Sequence, residues 1–388
     1  MNRQPRYRID SLETENSVIQ VNWGDGHISR FPGIWLLESC RCEACGNTET
    51  AVRHTSLLEK PARPQPVSCE FDADELRISW DTSHHSHYDL TWLRSKCLTD
   101  SARAQRKFKP TPWSREVLER LPVFSYTELI ASADLHLQFL EAILDPGFAV
   151  LRDVPPEREH TEEIAALVGK LRMTNYEIYE LESKPNPEIV GDMAVPLRPH
   201  TDEPYRVDPP AITFFHVIKQ SARGGESTLL DSFRLAARLH DNAPEAFELL
   251  STIPARFHRS LIEGRLFEFQ RPVIQCDSDG DVNGVFLLDR GMAPVDCELN
   301  QVEPFYDALR LLMQLLDDNQ DQIEVRLETG EMLVFNNHRL MHGRTAFDPS
   351  SGRHVRSCHV DLDEFYSRLR VAYRDHNDPR RWMTFIKQ

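Results

Sequence analysis

The stretch "EMLVFNNHRLMHGRTAFDPSSGRHVRSCHVDL", residues 331–362, opens on the short apolar run "EMLVF" and closes on "HVRSCHVDL", with the turn-like "DPSSG" between them. Both ends have the length and composition of β-strands, and neither carries a helical period. The same texture recurs upstream in "AITFFHVIK" (211–219), "STLLDS" (227–232), "GVFLLD" (284–289) and "IEVRLE" (323–328). Helical insertions interrupt it at "SFRLAARLHDNAPEAFELL" (232–250) and "VEPFYDALRLLMQLLDD" (302–318). Many short strands without a regular βαβ alternation predict an α+β, mainly β fold: a double-sheet barrel or jelly roll decorated with helices. Before it come helical periods in "SYTELIASADLHLQFLEAIL" (125–144) and "REHTEEIAALVGKLR" (158–172), on either side of the strand-like "GFAVLRDV" (147–154).

The first hundred residues read differently. Strand-like "SVIQVNW" (17–23) and "ELRISW" (75–80) are separated by polar turns and the Pro-rich "EKPARPQPVSC" (59–69), which predicts a small β-rich module. The basic, proline-containing "DSARAQRKFKPTPWSRE" (100–116) has no sustained apolar period. The expected organisation is a module over residues 1–105, a linker over 106–120 and a jelly-roll domain over 121–388. No internal repeat or low-complexity tract is evident.

With 45 Lys and Arg against 61 Asp and Glu, the formal charge is −16, and a field of that sign repels phosphate backbones. Nucleic acid is therefore not an expected partner. No run approaches the roughly 18 apolar residues of a membrane span. The opening "MNRQPRYRIDSLETENS" has no secretory apolar stretch, so a cytoplasmic location is expected.

Eight cysteines without a signal peptide read as thiols or metal ligands rather than a disulfide framework. "CRCEAC" supplies Cys40, Cys42 and Cys45, and "SWDTSHHSHYD" supplies His84, His85 and His87 about forty residues later. Three thiolates and one imidazole suit a closed, tetrahedral, structural zinc site. Cys69, Cys97, Cys276, Cys297 and Cys358 have no such partners and read as small buried side chains.

"RPHTDEPYR" (198–206) places His200 two positions before Asp202, so both can share one face of an extended segment. Two imidazoles and one carboxylate on one face of iron(II) leave positions for a co-substrate and O2. The second imidazole could come from His338 or His342 in the opening stretch. A keto-diacid co-substrate such as 2-oxoglutarate leaves a second carboxylate to be neutralised, best by a bidentate guanidinium. Arg353 follows His342 by eleven residues across the turn, so an adjacent antiparallel strand would return it to the metal, which favours His342.

These segments resemble the γ-butyrobetaine hydroxylase group of iron(II)- and 2-oxoglutarate-dependent oxygenases, related to taurine dioxygenase, over nearly the whole chain. "IWLLESCRCEAC" and "ISWDTSHHSHYDLTWLRSKC" are similar to the zinc-binding domain of that group, and "HTDEP", "HVIKQSARGGES", "VEPFYDALR", "LMHGR" and "SRLR" to its catalytic domain. The resemblance implies structural zinc on Cys40, Cys42, Cys45 and His84. It implies iron on His200, Asp202 and His342, with Arg353 on the 2-oxoglutarate carboxylate and Ser227 beside it. For the substrate it places Tyr176 at one position of an aromatic cage for trimethylammonium and Tyr179 near a second. Here the chain departs: Asp192 and His359 stand where tyrosines are expected, and Ile189, Leu288 and Glu203 where polar residues would hold a carboxylate. The expected substrate is a small cationic or zwitterionic metabolite, with Asp192 and Glu203 favouring an ammonium group. Arg198 and Arg290 are candidates for an anionic end. His216 reads as a barrel residue, and His354 and Arg356 as strand-face ion pairs. The expected reaction is hydroxylation, with desaturation or cyclisation as other outcomes. A zinc hydrolase and a non-catalytic, zinc-stabilised binding protein are the competing classes. A homodimer is expected from the resemblance.

Overall fold

The computed structural model describes residues 7–47, 50, 52–172, 178–183, 193–221, 223–261, 264–318 and 320–385. The chain divides into two compact units, Met1–Phe108 with Trp382–Thr384, and Lys109–Arg381 with Phe385–Gln388.

In the smaller unit, strands Ile9–Glu15, Val18–Trp23 and Ile28–Pro32 form an antiparallel meander that runs into helix Gly33–Glu38. Strands Pro66–Phe71, Glu75–Trp80 and His85–Asp89 form a second, which runs into helix Leu90–Ser95. The period of two is visible in both central strands: Ile19, Val21 and Trp23 are buried in one, Leu76, Ile78 and Trp80 in the other. These faces join Phe31, Leu36, Tyr88 and Leu93 in a single core. Six-residue helices do not stand alone in water, and these are held by that burial. The absence of a repeat is therefore corrected. Corresponding elements of the two meanders keep a constant offset of 57 positions: Val18 to Glu75, Ile28 to His85, Gly33 to Leu90.

The larger unit carries ten strands in its two main sheets. They are β1 (Val123–Ser125), β2 (Phe148–Arg152), β3 (Tyr179–Glu182), β4 (Leu197–His200), β5 (Ile212–Lys219), β6 (Ser227–Asp231), β7 (Ile323–Val325), β8 (Met332–Asn336), β9 (Leu340–Arg344) and β10 (His354–Val360). One sheet has the order β3-β10-β5-β8-β2-β1 and the other β4-β9-β6-β7. Between β4 and β6, and again from β7 to β10, the chain passes from sheet to sheet, which is the double-stranded β-helix. β5 and β8 read as continuous apolar runs because both faces are covered. Helices Ala133–Leu144 and Glu159–Val168 pack on the larger sheet. Between β6 and β7, helices Ser232–Asn242, Pro244–Thr252 and Leu299–Asp317 build a separate apolar cluster with hairpin Ala255–Leu261/Arg265–Arg271.

Two local expectations change. The segment expected as a linker holds a buried Trp113, whose backbone N–H donates to Asp231 Oδ2 at 3.0 Å and whose indole N–H donates to the Pro146 carbonyl at 2.8 Å. In "GVFLLD" the strand ends at Val285. Beyond it, Phe286 donates its N–H to the Val273 carbonyl, one further bond toward the neighbouring strand, and the Leu287 carbonyl accepts from Thr201 beside the site below.

Candidate active site

His200 ends β4 and His342 lies at the middle of β9, and the two are paired residues across that antiparallel ladder. Asp202 follows just past the strand end. Thr201 donates its N–H to the Leu287 carbonyl at 2.8 Å, and Asp202 donates its N–H to Asn337 Oδ1 at 2.7 Å. The Asn337 amide returns 3.2 and 2.8 Å bonds to the carbonyls of Asp202 and Pro210. Asp202 Oδ1 then stands 3.7 Å from His200 Nε2, and Oδ2 stands 3.6 Å from His342 Nε2. These separations are too long for good hydrogen bonds. All three donor atoms lie within 4.8 Å of one another, which leaves room for an ion between them.

The electrostatics fit a cation. Burial pushes His200 down to about 4, helped by the neighbouring His342, and pushes His342 down to about 3. Burial likewise raises Asp202 to about 6. The imidazoles are therefore neutral and have lone pairs to give. His200 Nδ1 sits 2.9 Å from the Arg198 carbonyl, which can only accept, so Nδ1 carries the proton and Nε2 keeps a free lone pair on the side of Asp202. Phe335 and Phe215 hold the His342 ring with centroids at 4.8 and 5.4 Å. His342 Nδ1 is buried without a hydrogen-bond partner among the described residues.

Arg353 reaches this site by a different route from the expected one. β9 and β10 are not neighbours: β10 belongs to the opposite sheet, and the turn after β9 carries the chain across the jelly roll. Arg353, just before β10, enters the same cavity as His200, Asp202, His342 and Ser227 from the facing side. It is buried, its Nε has no hydrogen-bond partner among the described residues, and desolvation alone pushes it down to about 10. A buried guanidinium with this balance is complementary to the carboxylate of a ligand.

The substrate positions divide into three groups. Tyr176, Ile189 and Asp192 lie outside the described residues. Tyr179, Leu288 and His359 line the cavity, with Tyr205, Arg290 and Arg344. Glu203 lines it too, but its charge is engaged: Tyr179 Oη donates to it at 2.7 Å and Arg206 pairs with its other oxygen. Any ammonium group that Glu203 is expected to favour, with Asp192, would therefore share it with Arg206. Its φ of +50° marks the sharp turn after Asp202.

The remaining histidines and arginines have other partners. His338 faces the Pro209 carbonyl at 3.1 Å, and His216 faces Thr161 in the core. Arg198 is exposed and paired with Asp317 and Asp289, so it is no anchor for substrate. Glu180, Glu182 and His354 also cluster, but Arg158 and Arg356 neutralise the group. Sequence reasoning passed over Asn337, Tyr205, Phe215 and Phe335. Only the doubled Asn after an apolar strand hinted at the first.

In the smaller unit, His84 Nε2 lies 3.2, 3.8 and 3.5 Å from the sulfurs of Cys40, Cys42 and Cys45. His85 and His87 turn away, to Ser79 and Glu75. Burial and the adjacent thiols raise Cys45 to about 12. The donor set is that of a closed tetrahedral zinc site.

Residues 104–359 match the family described as taurine catabolism dioxygenase TauD, TfdA, and residues 11–94 match the gamma-butyrobetaine hydroxylase-like N-terminal family. The chain is 31% identical over 363 residues to the gamma-butyrobetaine dioxygenase of Pseudomonas sp. (strain AK-1), spanning 92% of this chain and 94% of that one. It is 26% identical over 365 residues to the Homo sapiens gamma-butyrobetaine dioxygenase, spanning 91% and 94%. It is 25% identical over 384 residues to the trimethyllysine dioxygenase of Meyerozyma guilliermondii, spanning 94% and 96%. With a double-stranded β-helix holding two histidines, an aspartate and a buried arginine in one cavity, the chain belongs to the TauD/TfdA dioxygenase family and is an iron(II)- and 2-oxoglutarate-dependent oxygenase.

Proposed function

We propose that this oxygenase hydroxylates an unactivated C–H bond of a small cationic or zwitterionic metabolite. The observation that carries the reading is the buried Arg353, short of an anionic partner among the described residues, in one cavity with His200, Asp202 and His342. Bound iron(II), with 2-oxoglutarate and O2, supplies the oxidation that replaces C–H by C–OH, with succinate and carbon dioxide as the other products. The two imidazole Nε2 atoms and the Asp202 carboxylate would hold the ion. Arg353 and Ser227 would grip the far carboxylate of the co-substrate.

Substrate recognition rests on the rest of the wall. Tyr179, Tyr205, Leu288 and His359 line the cavity, and the two tyrosines are the candidates for aromatic contact with a cation. Arg290 lines the cavity, as Arg198 does not, and although its Nε stands 3.8 Å from Asp289 Oδ1 it is the candidate for an anionic end. The names of the relatives point the same way, since γ-butyrobetaine and trimethyllysine each carry a trimethylammonium group. A zinc hydrolase gives Arg353 no evident task, and a non-catalytic binding protein gives none to the gathered His200, Asp202 and His342. The test is oxygen-dependent succinate formation across betaines, methylated amines, aminophosphonates and basic amino acids. Activity confined to neutral or dianionic compounds overturns the cationic reading.

Cys40, Cys42, Cys45 and His84 are proposed to hold a structural zinc. A homodimer and a cytoplasmic location complete the proposal, the first tested by light scattering and the second by cell fractionation. No helix among the described residues is long and apolar enough to cross a membrane.

A further inference from the structure

The offset between the two meanders extends beyond their elements to single hydrogen bonds. Trp23 donates its indole N–H to Ser29 Oγ at 2.9 Å, and Trp80 donates to Ser86 Oγ at 2.9 Å. The N–H of Trp23 meets the His27 carbonyl at 2.9 Å, and that of Trp80 meets the His84 carbonyl at 2.9 Å. Positive φ recurs at Gly26 and Ser83, in the equivalent turns. At the helix starts, Gly33 donates to the Ser17 carbonyl and Leu90 to the Asp74 carbonyl. At the helix ends, Cys40 donates to the Leu37 carbonyl at 3.3 Å and Cys97 to the Arg94 carbonyl at 3.2 Å. Trp35 and Trp92, equivalent residues, stack on each other with centroids 6.0 Å apart. A residue packed against its own counterpart is what a twofold relation produces at its axis.

The same symmetry exchanges contacts: if residue i of one half touches j of the other, the counterpart of j touches the counterpart of i. Cys40, after the first helix, meets His84 in the second meander at 3.2 Å. Its image is Cys97, after the second helix, with His27 in the first meander, and that pair is 3.1 Å apart. Carried through the offset, the cysteine pattern "CRCEAC" at 40–45 becomes "CLTDSA" at 97–102, so Thr99 and Ala102 stand where Cys42 and Cys45 stand. One turn of backbone is kept, although beyond it the copies part, into strand Gly46–Asn47 in the first and helix Asp100–Arg106 in the second. Gly46 donates to the Cys42 carbonyl at 3.2 Å, and Arg103 donates to the Thr99 carbonyl at 2.9 Å. Thr99 Oγ1 lies 3.4 Å from Cys97 Sγ, and Ala102 is as buried as Cys45, each 7% exposed.

We propose that the N-terminal module is a duplicated half-module with pseudo-twofold symmetry, and that His27 and Cys97 are the remnant of a second soft-metal position. Two of its four ligands, at 99 and 102, have been replaced. In this chain a thiol–imidazole contact does at the second position what a divalent ion does at the first: it ties the end of one half's helix to the other half's hairpin. The backbone at the remnant still has the shape that a Cys-x-Cys-x-x-Cys turn with one imidazole requires for zinc.

This inference rests on the proposed zinc at Cys40, Cys42, Cys45 and His84, and one experiment separates the two. Zinc per chain is counted by native mass spectrometry and elemental analysis on the full-length protein, and cobalt-substituted samples are read for the thiolate charge-transfer band. Wild type is expected to hold one ion in the smaller unit. Thr99→Cys/Ala102→Cys is expected to hold two, with the cobalt band about doubled, and adding His27→Ala is expected to weaken the second ion by at least tenfold. A double variant that folds as wild type by circular dichroism yet takes up no additional ion overturns the proposal. Should wild type hold none and the double variant one, the first zinc reading fails and the remnant site stands.

Discussion

Replacing Arg353 by Met should separate ligand binding from folding. The guanidinium is buried and desolvation alone pushes it well below the usual arginine range, to about 10, so the fold disfavours its charge. At about 1.36 kcal/mol per unit, this is a cost on the order of 3 kcal/mol, present at every pH below about 10 and absent in the Met variant. A Met of similar length keeps the packing over Phe347, whose ring centre is 5.5 Å from the guanidinium carbon. The ligand-free variant should therefore melt no lower than wild type, and up to several degrees higher. Binding should move the other way. Removing one partner of a buried, hydrogen-bonded charge pair costs about 2–5 kcal/mol, which is roughly 30- to 4,000-fold in 2-oxoglutarate affinity. Arg353→Lys keeps the charge without the planar fork and should fall between. Calorimetric titration of 2-oxoglutarate under anaerobic conditions, together with thermal melts without ligand, gives both quantities. Wild-type affinity in Arg353→Met would show that the co-substrate carboxylate is held elsewhere.

His342→Ala should abolish iron binding and succinate formation with the fold intact, while His338→Ala, whose ring faces the Pro209 carbonyl, should leave iron stoichiometry unchanged; the reverse result would exchange their roles. Asn337→Leu removes the amide that clamps the Asp202 backbone and should weaken iron about 10- to 100-fold in a metal titration. Arg339→Ala leaves the fully buried Asp231 without its guanidinium and should cost about 3–5 kcal/mol in denaturant unfolding. Cys45→Ser should lose the proposed structural zinc and lower the melting of the N-terminal module, measured by elemental analysis and calorimetry, and an unchanged zinc count would remove Cys45 from the ligand set.

The chain's own sequence determined more of the site than of the scaffold around it. His-x-Asp, the distal histidine and the arginine eleven residues later are residue types that this chemistry requires, and chemistry is written in side chains. The strands of the jelly roll were also legible, because alternation and short apolar runs are local properties. What only the tertiary structure decided is which strands become neighbours. Arg353 was expected beside His342 on an adjacent strand, yet it enters from the opposite sheet, since a turn of given length can either pair two strands or cross between sheets. The same limit hid Asn337, whose value lies in reaching a backbone more than a hundred residues away, and hid the hydroxyl of Tyr179 that donates to Glu203 from 24 residues upstream. It hid the duplication as well. Only six of the 23 paired positions from Val18 to Cys40 are identical to their counterparts, because a core needs apolar volume on one face and leaves the identity of most residues free. Folding brings His27 to Cys97 and His84 to Cys40, and proximity across the chain is what no local pattern encodes.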